Sequence, residues 1–248
     1  MSVPSCCFKG FKWDGQPTGR VGKLGNNNAY ITGNNPDVAV LYIHDLLGWT
    51  FTNARLLADH FAEEANVTVY LPDFFGGEVA PIDLVLAGKF DAFDLPGYMS
   101  RNTREIREPE IFECARALRR QYKTVGQVGY CYGGWAGFRL GAKEHNPPLV
   151  DFISVGHPSM LTKKDVEEVA VPVQLLAPEH DFMFTPEMKL FTFETLERIK
   201  VPFDYLSFPG MEHGCFTRGD ENVPGERGAM VRAKDASVHW FKQFSPAA

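Results

Sequence analysis

One stretch constrains this chain more than any other: Val128-Gly129-Tyr130-Cys131-Tyr132-Gly133-Gly134-Trp135. The apolar run Thr124 to Val128 before it reads as a buried strand, and Trp135 to Glu144 after it reads as a helix. A strand that passes directly into a helix must turn within a few residues. Side chains two positions either side of such a corner collide with neighbouring backbone, and glycine at both, Gly129 and Gly133, removes the collision. The corner residue itself sits on strained backbone with its side chain lifted above the sheet edge. Strand, Gly-x-Cys-x-Gly, helix is the nucleophile-elbow pattern with cysteine in the place of serine. The same residues also fit a plainer description, a glycine-rich turn with a buried structural cysteine, and only the rest of the chain separates the two.

Apolar runs recur along the chain and alternate with helical segments. Val38 to Ile43 is nearly unbroken, as in strands buried on both faces of a parallel sheet. Val67–Leu71, Leu149–Val155, Val171–Ala177 and Phe203–Phe208 read the same way. Between them, Ala54–Ala65 carries Leu56, Leu57, Phe61 and Ala65 at helical spacing, with Thr52 or Asn53 as its cap. Further helices are expected to Tyr122 with Pro109 early in it, over Thr162–Glu168, over Pro186–Lys200 and over Glu226–Phe244. The alternation predicts an α/β fold: one doubly wound, mostly parallel sheet with helices on both faces, as a single domain over 29–248. Residues 1–28, rich in Gly, Pro and Asn, read as an arm packed on that domain, and Ala29–Thr32 as a short edge strand. Residues 78–103 hold Pro81, Gly88, Pro96 and Gly97 among apolar side chains, and are expected to form short helices of a cap or lid.

With 248 residues the chain can bury about 70–75% of its unfolded surface, so its core needs no covalent staples. A net charge of -6 argues against nucleic acid or an anionic membrane as partner. The five cysteines, Cys6, Cys7, Cys114, Cys131 and Cys215, are an odd number with one adjacent pair, a poor disulfide framework. No signal-like start and no apolar run of ~18 residues is present. These features predict a cytoplasmic, reduced protein off the membrane, in which a thiol survives as a reagent. The histidines form no His-Glu-x-x-His and the cysteines no Cys-x-x-Cys, so no metal is expected. Gly129 to Gly134 lacks the lysine and spacing of a phosphate loop, and no cofactor is implied. Nothing demands more than a monomer.

In an open parallel sheet, ligands bind beyond the C-terminal ends of the strands. Asp45, Cys131, Asp181 and His213 all fall at such ends. The order nucleophile, acid, histidine is that of the α/β-hydrolase fold. In this scheme Cys131 attacks an acyl carbonyl as thiolate, and needs a base because a free thiol is only a few per cent ionised at neutral pH. His213 takes and returns the proton, and Asp181 holds the imidazole tautomer. The Tyr132 and Leu46 backbone N–H groups are the candidate oxyanion donors. Singly, an Asp after a strand is usually a turn residue and a His-Gly a polar loop; together they favour catalysis.

These pieces resemble the dienelactone hydrolase family: Gly129-Tyr130-Cys131-Tyr132-Gly133-Gly134, Glu179-His180-Asp181 before Pro186, His213-Gly214 with Phe216 and Arg218 downstream, and Leu71-Pro72-Asp73. Cys6-Cys7 with Gly10, Gly15, Pro17 and Gly19 resembles its eukaryotic, chiefly fungal, branch. The resemblance implies an α/β-hydrolase fold and cofactor-free hydrolysis of a small-molecule lactone or ester. It also implies a departure. Bacterial members carry Glu at the position of Asp45, where it helps ionise the thiol. Asp45 is one methylene shorter, a reach loss of roughly 1.5 Å, and is expected to be a weaker or water-mediated thiol partner. Family substrates carry a carboxylate held by arginines, which makes Arg218 and Arg101 candidate anchors; Arg101 is the better candidate for mere pairing with surface acids. Trp49, Phe74, Phe75 and Tyr132 are candidate aromatic pocket walls, or plain core. Two alternatives share the fold: a biosynthetic thioesterase or ester hydrolase of a polyketide-like acyl chain, and a non-catalytic member whose thiol serves binding or redox sensing.

Overall fold

The computed structural model describes residues 12–86, 89, 93–220 and 222–245. Among them, eight strands form one sheet: β1 (Arg20–Leu24), β2 (Asn27–Thr32), β3 (Val38–Ile43), β4 (Thr68–Pro72), β5 (Thr124–Tyr130), β6 (Phe152–Gly156), β7 (Val173–His180) and β8 (Phe203–Glu212). Their order across the sheet is β1-β2-β4-β3-β5-β6-β7-β8. The β1–β2 and β2–β4 pairs are antiparallel, and every pair from β4–β3 through β7–β8 is parallel. The helices are α1 (Thr52–Ala65), α2 (Ile82–Leu86), α3 (Leu95–Arg101), α4 (Arg104–Arg119), α5 (Gly133–Leu140), α6 (Lys163–Glu168), α7 (Pro186–Ile199) and α8 (Glu226–Phe244). None is long and apolar enough to cross a membrane among the described residues.

Handedness explains the two helical layers. The crossover through α1 runs from β3 back to β4, whereas those through α4, α5, α6 and α7 run the other way across the sheet. Right-handed crossovers in opposite directions place their helices on opposite faces. The packing agrees: α1 lies against α8, while α5 lies against α4 and α6, and α6 against α7. The direction of winding switches between β3 and β5, whose C-terminal ends therefore frame the crevice where such sheets bind ligands. All six residues of β3 are buried, as both-face coverage requires. Truncating one of them, Leu41→Ala, is expected to cost about 2–5 kcal/mol.

Three expectations are corrected. The sheet begins at Arg20, because Arg20–Leu24 pairs with Asn27–Thr32 as a hairpin in register Arg20↔Ile31 to Leu24↔Asn27; the arm is thus shorter than residues 1–28. Ala29–Thr32 is not at the edge, since β1 covers it. Neither Thr52 nor Asn53 caps α1; Phe51 holds the cap position, and the Asn53 side chain instead joins segments far apart, accepting from Trp13 N at 2.9 Å and donating to Thr217 O at 3.1 Å. Cys6 and Cys7 lie outside the described residues, as do 87, 88 and 90–92 of the stretch expected to form a cap; its described parts include α2 and α3.

Candidate active site

The corner at Cys131 is as tight as its glycines require. Cys131 has φ 51, a left-handed conformation rare for a residue with a side chain. A Cβ on Gly129 would lie 2.3 Å from Gly133 O, and one on Gly133 would lie 2.1 Å from Ile43 O, so neither position admits a larger residue. Tyr132 is the cap residue of α5. Register Ile43↔Gly129 sets the loop after β3 beside this corner, and Tyr130↔Gly156 sets the turn after β6 on its other side. Neither Tyr132 N nor Leu46 N donates to a protein acceptor among the described residues.

Asp181 follows β7 and His213 follows β8. His213 N donates to His180 O at 3.2 Å, which pins the two strand ends together. The His213 Nδ1–H donates to Asp181 Oδ1 at 2.9 Å with both side chains fully buried. The same carboxylate oxygen accepts from Met183 N and Phe184 N, each at 2.9 Å. Burial pushes the Asp181 carboxyl up, but His213 and these two amides outweigh it and hold the group below its ordinary value. The other ring nitrogen, Nε2, has no hydrogen bond of ordinary geometry among the described residues.

Cys131 and His213 are electrostatically coupled. Burial raises the thiol, yet the His213 charge, a side-chain hydrogen bond from the same ring and then the Arg218 charge bring it below its ordinary value, against opposition from Asp45. Burial lowers the His213 imidazole, yet the Cys131 thiolate and the Asp181 carboxylate carry it up to about 9. Both directions favour a thiolate–imidazolium pair. Beside His213 stand two rings, His157 at 4.9 Å and Phe182 at 5.3 Å. His157 is fully buried and stacked on Phe216 at 5.2 Å; burial first, then the His213 and Arg218 charges, keep it neutral.

The remaining candidates have partners of their own. Both oxygens of Asp45 are committed: Oδ1 accepts from Leu47 N at 2.8 Å, Oδ2 accepts from the Thr217 hydroxyl at 2.9 Å, and Arg218 Nε lies 3.4 Å from Oδ2. Arg218, a candidate substrate anchor, is fully buried in this ion pair, because a guanidinium withdrawn from water needs a compensating charge. Arg101 is 52% exposed and paired with Glu78 at 2.6 Å and Asp94 at 3.9 Å. Phe74 is fully buried core beside His44, and Trp49 is half-buried under the Arg55 guanidinium at 5.0 Å. Tyr132 is buried with its ring against Phe75 at 4.8 Å. One residue that sequence reasoning passed over is Ser159, whose Oγ lies 3.3 Å from Cys131 Sγ. Its signal was its place, in Gly156-His157-Pro158-Ser159 at a strand's C-terminal end.

The strand order, the strained cysteine corner and the buried Asp–His pair on the following strand ends define a protein of the α/β-hydrolase class. More narrowly, the chain belongs to the dienelactone hydrolase family, whose sequence profile matches residues 28–245. It is thereby an enzyme of the carboxylic ester hydrolase type. Among its relatives is the hydrolase tropI of Talaromyces stipitatus, 30% identical over 98% of each chain. The human carboxymethylenebutenolidase homolog is 27% identical, also over 98% of each chain. In fold it is similar to the dienelactone hydrolase of Anabaena variabilis, with a TM-score of 0.65, 16% identity, and coverage of 92% of this chain and 97% of that one.

Proposed function

We propose that this protein cleaves a lactone or related ester through an acyl-enzyme on Cys131, with His213 as acid–base and Asp181 as its orienting partner. The observation that carries this reading is the His213 ring. One nitrogen is fixed on Asp181 at 2.9 Å, and the ring's charge and its side-chain interaction with Cys131 both favour the thiolate. The thiolate sulfur attacks the carbonyl carbon and the carbonyl π pair moves to oxygen. The Tyr132 and Leu46 N–H groups receive that oxyanion. As the carbon–oxygen single bond breaks, the imidazolium gives its Nε2 proton to the departing alkoxide, leaving a thioester. Water then attacks the thioester, His213 takes its proton, and the thiolate leaves with the acid as product.

Both arginines expected to hold a substrate carboxylate are engaged by Asp45, Glu78 and Asp94. That favours an uncharged acyl group, as in a hydrolase or thioesterase acting on a polyketide-like chain, over an anionic lactone. A screen of lactones, aryl esters and thioesters, each with and without a carboxylate on the acyl part, tests both statements. Hydrolysis is expected with the neutral members preferred, and Cys131→Ala is expected to lower kcat by about 10⁴-fold or more. Turnover that survives Cys131→Ala would refute the nucleophile; preference for the carboxylate-bearing members would refute the neutral acyl group.

A further inference from the structure

We propose that Ser159, on the turn after β6, is the hydrogen-bond partner that holds the Cys131 sulfur between turnovers and in its ionised state. The inference rests on Cys131 being the nucleophile, and it gives to Ser159 a task first expected of Asp45. The Ser159 Oγ stands 3.3 Å from Sγ. The turn that carries it is fastened to the corner: Cys131 N donates to Gly156 O at 3.1 Å, and Ser159 N donates back to Cys131 O at 2.8 Å. His157 N, donating to Leu176 O at 3.0 Å, ties the same turn to β7. Ser159 is 5% exposed, so little water competes for its hydroxyl.

Chemistry separates Ser159 from Asp45. An ionised carboxylate only accepts hydrogen bonds, so it has no proton to offer a thiolate and repels it. A hydroxyl both accepts and donates. Toward the neutral thiol it receives S–H. When the thiol ionises, the S–H proton passes to His213 Nε2, the bonding pair stays on sulfur, and the Ser159 O–H rotates to donate to S⁻. No net proton leaves Ser159. The charged groups acting on the sulfur from other elements are His213 and Arg218 after β8 and Asp45 after β3, with Asp181 behind His213; His157, on the same turn as Ser159, is neutral. Ser159 thus adds a neutral donor where two cations and one anion already act.

Alkylation of Cys131 by iodoacetamide against pH, followed on the Cys131 peptide by mass spectrometry, reads the thiol pKa without any need for turnover. In Ser159→Ala the pKa is expected to rise by about 1–2 units, the amount a charge-assisted hydrogen bond supplies. The acid limb of kcat/KM is expected to move with it, and Ser159→Thr to restore both. An unchanged alkylation pKa in folded Ser159→Ala overturns the inference. The S–H stretch of the wild-type protein, recorded below the alkylation pKa where the thiol is protonated and assigned by its disappearance in Cys131→Ala, gives a second reading that needs no Ser159 variant. A band lowered by hydrogen bonding is expected, and a band at the free-thiol frequency overturns the inference. Hydrolysis that survives Cys131→Ala instead breaks the reading of the site on which the inference stands.

Discussion

Two buried pairs of opposite charge act on Cys131, and both hang from the loop that follows β8. His213 meets Asp181 at 2.9 Å, and five residues on, Arg218 meets Asp45 at 3.4 Å. The first pair keeps atoms in reserve: His213 Nε2 and Asp181 Oδ2 have no hydrogen bond among the described residues. In the second, every oxygen of the carboxylate is taken, by Leu47 N, the Thr217 hydroxyl and Arg218 itself. Histidine exchanges its proton within the physiological range, whereas arginine keeps its own. One pair is therefore built to pass a proton and the other to hold a fixed potential. A sequence shows an Asp, a His and an Arg near strand ends; the supply of free lone pairs distinguishes worker from support.

Breaking each pair separately makes the contrast measurable. His213→Asn removes the proton carrier, and kcat/KM is expected to fall about 10³- to 10⁴-fold with the fold retained. A loss of only a few fold would mean that the reserve nitrogen is idle. Arg218→Met leaves Asp45 buried without its cation, and urea unfolding is expected to show about 3–5 kcal/mol of destabilisation. Adding Asp45→Asn to it is expected to recover much of that loss; no recovery would show that the two side chains do not act as a pair.

The pH profile follows Cys131 and His213. The thiol lies below its ordinary value, so the thiolate fraction and kcat/KM rise as pH rises through that lowered pKa. The imidazolium that protonates the leaving oxygen is present below its raised pKa and is lost as pH passes about 9. A bell with its alkaline limb near that value is expected, changing about tenfold per pH unit outside the window. A flat profile would detach His213 from the chemistry. The smallest effect is expected at an exposed pair. Arg101→Ala breaks an exposed pair with Glu78 and should alter stability by no more than about 0.5 kcal/mol, with kcat/KM unchanged. A large loss of activity there would return Arg101 to the list of substrate anchors.

Much of the fold is legible in the chain because its signals are local. An apolar six-residue run such as Val38–Ile43 and the helix Glu226–Phe244 carry their own periodicity, and both appear with the expected bounds. The extension of β8 to Glu212 and the strand at Arg20–Leu24 escape, since prolines, glycines and charged residues interrupt the apolar pattern there. In the site, Cys131, Asp181 and His213 stand out by chain order and strand-end position. The partners of Asp45 do not. Thr217 and Arg218 lie more than 170 residues away in sequence, and only the packing of β3's loop against β8's brings them to it. Ser159 escapes for a different reason. It reaches the sulfur from a turn in which His157 has φ 35, a conformation that residue identity does not announce.

The 2.1 Å approach between a would-be Cβ at Gly133 and the Ile43 carbonyl has a consequence for how such a protein can change over time. Any side chain at that position would wedge β3 from α5 and open the sheet at its centre, so a variant there fails as a fold before it can be tried as an enzyme. The reaction centre and the structural keystone are one object. Innovation in what the protein accepts is thereby channelled away from the corner itself.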